Sequence, residues 1–198
     1  ILRFNFSGIN TKDEKSTIKG FKEKVTVAIS DFIKSYGLDF YINPDMTSEG
    51  LLNNLIISFK NQKQGEKIYV LIDEYDHFAN ELLGFKTEQF KNLVSKNGWV
   101  RKWYEILKEG TESVIDRIFI TGVAPITLDS MTSGFNIASD KTRDRSFNEM
   151  IGFTKEELVK MIESQEIGKE EQEKLFPIMK ENYDGYKFSL KAEKRIYN

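Results

Sequence analysis

Ile68-Tyr69-Val70-Leu71-Ile72-Asp73-Glu74-Tyr75-Asp76 is the stretch whose reading decides the fold. Five apolar residues follow one another without polar alternation, and the run then ends in acids. That pattern predicts a central strand buried on both faces, with its carboxylates delivered to the carboxyl end. Arg117-Ile118-Phe119-Ile120 repeats the pattern and ends at Thr121-Gly122. Near the start, Leu2, Phe4 and Phe6 alternate with Arg3 and Asn5, as a half-buried strand would. Leu38-Asp39-Phe40-Tyr41-Ile42 is a shorter strand candidate.

Helical spacing fills the intervals. From about Thr17 to Tyr36, apolar residues recur at Phe21, Val25, Ile29 and Ile33. Thr47 starts a helix through Leu51, Leu52, Leu55, Ile56 and Phe59, and Trp99, Trp103, Ile106 and Leu107 mark a third. Thr154 and Glu157 form a capping box ahead of Leu158, Met161 and Ile162. A last helix is expected from Glu170 to about Asn182, with Leu175, Ile178 and Met179 inward and a kink or new start at Pro177. Strands alternating with helices imply an α/β fold, three-layered around a mainly parallel sheet, with ligands at the carboxyl ends of the strands. The expected division is an α/β core over residues 1–124 and a helical lid or extension over residues 125–198.

Composition narrows the function. Hydrophobic residues make up 39% of the 198, enough for a core, and the net charge of −2 lacks the basic stripe of a dedicated nucleic-acid binder. With no cysteine and one histidine, His77, thiolate zinc sites, cysteine nucleophiles and His-rich metal centres are excluded or improbable. No apolar run is long enough for a bilayer and no signal peptide is visible, so a cytoplasmic setting without a membrane is expected. The chain starts at Ile1 inside a strand-like run and stops at Asn198 without a tail. Both ends therefore read as cuts in a longer protein, or as the result of processing.

The acids after the apolar run follow the Walker B pattern. Asp73 is placed to hold Mg²⁺, a small hard cation that favours oxygen ligands and keeps much of its hydration. Glu74 is expected to point to the other side of the strand and orient an attacking water. The alternative is an acidic helix N-terminus. Thr121, at the end of the neighbouring strand, is the candidate for contact with a terminal phosphate or that water. Gly122 would let backbone approach a ligand, or this is a strand-to-helix turn with Pro125 near its start. Arg143 and Arg145 are candidates for stabilising transferred phosphoryl charge, against a solvated charged loop. Gly185 suits a tight turn with Tyr183 and Tyr186 packed about it, His77 reads as an exposed loop residue, and Trp99 and Trp103 as core.

These segments, with Leu2–Ile9, Leu71–Asp76 and Phe119–Ile126 in order, followed by 133–138, Phe147–Thr154 and Asn182–Phe188, resemble the AAA-ATPase-like domain of proteins that often carry a PD-(D/E)XK nuclease-type domain. The resemblance implies a P-loop NTPase fold, Mg²⁺ and ATP as ligands, and a nuclease-type domain on the same longer chain, through which alone nucleic acid would be met. The departure is that no G-x-x-x-x-G-K-[ST] occurs in the sequence. In the family's layout that loop and its strand lie upstream of Ile1. Without them nothing cradles the β- and γ-phosphates, so the segment is expected to bind ATP poorly and to hydrolyse it negligibly. Two other readings stand beside this one. One is a non-catalytic interaction or regulatory module. The other is a metal nuclease using Asp73, Glu74 and Asp76, although Pro44-Asp45 and Asp13-Glu14-Lys15 only faintly echo such a site.

Overall fold

The structure is a computed structural model and describes residues 1–85, 88, 90–91, 98–123, 137–165 and 168–198. It comprises two compact units, Ile1–Ile137 and Ala138–Asn198. The expected boundary at 124 falls at the start of a stretch, 124–136, outside the described residues. The expected turn at Pro125 and part of the motif at 133–138 lie in that stretch too.

In the first unit, strand β1 (Leu2–Asn5) is followed by helices α1 (Glu14–Tyr36) and α2 (Ser48–Gln62), then β2 (Ile68–Asp73). Helix α3 (His77–Phe85), helix α4 (Trp99–Thr111) and strand β3 (Ile115–Ile120) complete it. The strands are parallel in the order β1-β2-β3, with Phe4 opposite Ile72 and Ile72 opposite Ile120. The Ile68–Asp73 run is the middle strand, as its composition suggests. Helix starts follow local chemistry: Asp13 caps α1 through Ser16 N and Thr47 caps α2 through Gly50 N. Gly37, in left-handed conformation, ends α1.

Two expectations need correcting. Leu38–Ile42 is not a strand. Its backbone at Asp39 is satisfied by a side chain instead: Gln62 Oε1 accepts from Asp39 N at 2.9 Å and Gln62 Nε2 donates to Asp39 O at 2.8 Å. Nor are β2 and β3 buried on both faces. Ile68, Val70 and Ile72 are buried, while Tyr69 is 47% exposed and Phe119 41% exposed. The described helices of the first unit join a single hydrophobic cluster with Leu2, Phe4, Val70 and Ile72, leaving the alternate residues open. The described elements of the first unit thus form two layers where three were expected.

The centre of that cluster is aromatic. Trp103 is fully buried and meets Phe4, Phe6 and Phe21 edge to face at 5.0, 5.5 and 5.4 Å between ring centroids. Phe6 stacks on Phe21 at 4.5 Å. These contacts fix β1 against α1 and α4, and so fix where β1 ends.

The second unit has a 3-10 turn (Arg145–Phe147), helix α5 (Lys155–Glu163) and helix α6 (Lys169–Tyr183). It is not purely helical, because Phe153 pairs with Tyr197 and Tyr186 with Ile196 in antiparallel bridges. The Thr154–Glu157 capping box forms with both of its bonds. Pro177 lies inside α6, which runs on through it. Ile178 is 54% exposed, contrary to expectation; Phe176 and Met179 pack on Leu158, Ile162 and Tyr197 instead. The half-buried positions 172, 175, 176 and 179 make the usual helical stripe, and 178 falls outside it.

Trp103 also tests the core. Its indole N–H is buried without a hydrogen-bond partner among the described residues, so Trp103→Phe removes that donor while keeping most of the ring. Trp103→Ala is expected to lower unfolding stability by about 3–5 kcal/mol, and Trp103→Phe by less than about 2 kcal/mol. Urea denaturation of both variants measures the difference.

Candidate functional site

Three parallel strands of matched register bring their last residues to one edge. Asn5 ends β1, Asp73 ends β2, and Thr121 directly follows β3. Backbone bonds hold the alignment: Phe6 N donates to Asp73 O at 3.0 Å, Thr121 N to Ile72 O at 2.8 Å, and Tyr75 N to Thr121 O at 3.2 Å. The side chains then meet. Thr121 Oγ1 donates to Asp73 Oδ1 at 2.6 Å, and Asn5 Nδ2 reaches Asp73 Oδ2 at 3.5 Å. Asn5 Oδ1 accepts from Ser7 N at 2.9 Å, which turns the amide nitrogen toward Asp73. The outcome is an exposed carboxylate, steadied on one oxygen and only loosely held on the other.

Glu74 is set differently from its neighbour. The strand ends at Asp73, and Glu74 takes a left-handed backbone with φ of 55°. Alternation along a strand therefore does not aim its side chain; the turn does. That turn leads straight into α3, with His77 N donating to Glu74 O at 3.3 Å. A non-glycine residue in this conformation costs roughly 1 kcal/mol or more. Glu74 is half-buried, and its carboxylate makes no hydrogen bond or ion pair among the described residues. Strand end and helix start, the two readings of these acids, are thus separated by only a few residues.

Asp76 is the residue the sequence undervalued. It is fully buried. Both of its carboxylate oxygens accept from Val123 N at 3.1 Å, and Oδ2 also accepts from Asn80 Nδ2 at 2.7 Å. A Cβ on Gly122 would overlap Asp76 Oδ1 and the Tyr75 ring. Glycine is needed there for the close passage of the chain over Asp76, a protein contact in place of the expected ligand approach. Burial, aided by nearby Tyr75 and Asp76, pushes the Tyr104 phenol far above its ordinary value and keeps it neutral. His77 is half-buried at the start of α3, not exposed in a loop, and its Nδ1 is buried without a hydrogen-bond partner among the described residues.

Asp76 is committed to the backbone at Val123, so it is unavailable to a metal, which weakens the nuclease reading. Among the described residues no group of three or more His, Asp or Glu side chains converges to hold a metal ion. One exposed carboxylate beside a hydroxyl still suits Mg²⁺, which binds through one or two carboxylates, waters and substrate phosphates.

Arg143 and Arg145 lie in the second unit and are exposed. Arg145 Nη2 pairs with Glu193 Oε1 at 2.6 Å, and Arg143 stands near Asp140, whose carboxyl is held below its ordinary value chiefly by Thr142. In the same unit buried Asn148 joins two motif segments: its Oδ1 accepts from Phe188 N at 3.1 Å and Ser189 N at 3.3 Å, and its Nδ2 donates to Lys194 O at 3.2 Å. Gly185 turns with φ of 112°, and Tyr186 packs edge-on against Phe188 at 4.6 Å, though both Tyr183 and Tyr186 stay about half exposed.

A parallel α/β sheet with an acid and a hydroxyl at adjoining carboxyl ends defines an α/β domain whose polar groups stand where open sheets of this kind bind ligands. More particularly, the model of the AAA-ATPase-like family, described as predicted AAA-ATPase, matches residues 1–132, and the chain belongs to that family. No curated protein and no solved structure gives a match. Among the described residues no helix is long and apolar enough to cross a membrane.

The left-handed backbone at Glu74 yields a direct test. Glu74→Gly is expected to leave stability unchanged or raise it by up to about 1 kcal/mol, whereas Glu74→Val is expected to lower it by about 1–2 kcal/mol. Equal losses in urea denaturation of the two variants would contradict the assigned conformation.

Proposed function

We infer that residues 1–198 supply the magnesium- and water-handling side of an ATP-hydrolysing P-loop domain, with a phosphate-binding loop from outside these residues completing it. The observation that carries this reading is the Thr121–Asp73 pair at the carboxyl ends of adjoining parallel strands, in a chain of the AAA-ATPase-like family. Asp73 would hold Mg²⁺, in part through water, by its exposed carboxylate, whose Oδ2 is only loosely held by Asn5 Nδ2 at 3.5 Å. Bound Mg²⁺ neutralises phosphate charge and so favours phosphoryl transfer. Thr121 fixes the Asp73 carboxylate by its 2.6 Å bond and keeps it in one rotamer. Glu74, without a hydrogen-bond partner among the described residues, is the group that takes up and orients a water. Arg143 and Arg145 are secondary candidates for stabilising charge on the transferred group. The setting that accords with this is cytoplasmic, with a nuclease-type effector on the same longer chain switched by the nucleotide.

A second reading is favoured by a specific observation, the lack of any G-x-x-x-x-G-K-[ST] in the sequence. On that reading the segment is an interaction or regulatory module that does not bind ATP in this form. ATP turnover by a chain carrying this segment together with such a loop separates the two. Glu74→Gln is expected to cut turnover by about 10²-fold or more while ATP stays bound. Asp73→Ala is expected to weaken Mg²⁺-dependent nucleotide binding. Equal turnover by wild type and Glu74→Gln would remove Glu74 from the mechanism.

A further inference from the structure

Asp76 is a fully buried carboxylate to which the proposed mechanism gives no task. Burying such a group is costly unless hydrogen bonds offset it. Two of its bonds lead outside its own helix, to Val123 N on the segment that leaves β3. The ladder between β2 and β3 shows what they secure.

Ile72 lies opposite Ile120, so Asp73 lies opposite Thr121. In a regular parallel ladder a residue bonds to the residues just before and just after its partner. Thr121 should therefore donate to Ile72 O and accept from Glu74 N. The first bond is present at 2.8 Å. The second comes from Tyr75 N instead, at 3.2 Å, and among the described residues Glu74 N reaches no backbone acceptor. Glu74 is thus one extra residue, a bulge with a left-handed φ of 55°. Bulges of this kind re-aim a side chain. Without it, alternation along β2 would set Glu74 on the same face as Val70 and Ile72, which is the covered one.

The regular arrangement lies one residue away. It needs Glu74 N on Thr121 O and then Val123 N on Glu74 O. Asp76 stands in its way, because its carboxylate already holds Val123 N with both oxygens at 3.1 Å. Asn80 Nδ2 steadies that carboxylate from α3 at 2.7 Å, and the missing Cβ of Gly122 leaves room for it. We propose that Asp76 is a positioning residue: by holding Val123 N it pins the bulge and keeps Glu74 out of the alternation that would turn it to the covered face. Its part in catalysis rests on Glu74 being the water-orienting group; the pinning does not.

Amide hydrogen exchange reads the ladder directly. In the wild-type chain the Tyr75 and Val123 amides are expected to be protected and the Glu74 amide open. Asp76→Ala should speed exchange at Tyr75 and Val123 by about tenfold or more. Gly122→Ala, whose Cβ displaces Asp76 from the other side, should do the same. Val70 and Ile72 should keep their protection, which separates loss of the pin from loss of the fold. In a chain that joins residues 1–198 to a phosphate-binding loop, both variants should lose about tenfold or more in kcat, with KM for ATP within about twofold. Asp76→Asn keeps an acceptor for Val123 N and should lose several-fold less. Unchanged exchange in Asp76→Ala, or loss of protection throughout β2 in both variants, would overturn the proposal. So would an equal kcat loss in Asp76→Asn and Asp76→Ala, or wild-type kcat in Asp76→Ala where Glu74→Gln is inactive. Full turnover by Glu74→Gln would instead overturn the reading of Glu74, and this role with it, whatever the exchange shows.

Discussion

The site depends on the register of three parallel strands. A parallel ladder fixes not only which strands adjoin but where each one stops relative to its neighbour. The bonds Phe6 N to Asp73 O and Thr121 N to Ile72 O put Asn5, Asp73 and Thr121 in one row. A shift by one residue would turn Asp73 to the buried face, because side chains alternate along a strand. The aromatic cluster around Trp103 guards against that shift, since Phe4 and Phe6 can meet Trp103 and Phe21 in one register only. Core packing and site geometry are thus parts of one constraint.

The same constraint explains why Asp76 matters without facing solvent. The chain leaving β3 passes over the turn that leaves β2, and the two are tied where Val123 N meets the Asp76 carboxylate. Gly122 makes the approach feasible. The left-handed residue at Glu74 is the counterpart on the other strand: it ends β2 abruptly and starts α3 within three residues. The left-handed backbone there, and not strand alternation, sets the direction of the Glu74 side chain.

Much of this was legible from residue order. The apolar run ending in Asp73, the alternation of Leu2, Phe4 and Phe6, the stripes of α1, α2 and α4 and the Thr154–Glu157 capping box all express local physics, and the structure contains them. Other features depend on distant partners. Leu38–Ile42 has strand-like residues, but Gln62 occupies its backbone groups. Asn5 read only as the polar half of an alternation; its bond to Asp73 requires knowing that β1 lies beside β2. Asp76 read as one more acid in a motif, whereas its burial follows from the crossing of two loops. Asn148 likewise gathers the segments at 147–154 and 182–189 across some forty residues, a long-range role that no spacing announces.

Paramagnetic mapping addresses the central claim most directly. The proposed reading has one carboxylate at the shared strand ends hold the ion, so with Mn²⁺ standing in for Mg²⁺ in substoichiometric amounts the amide signals of Asn5, Asp73 and Thr121 should broaden before any others. Asp73→Asn should abolish that selectivity. Broadening that begins at other acids of the wild-type chain, or that leaves these three residues sharp, would contradict the account.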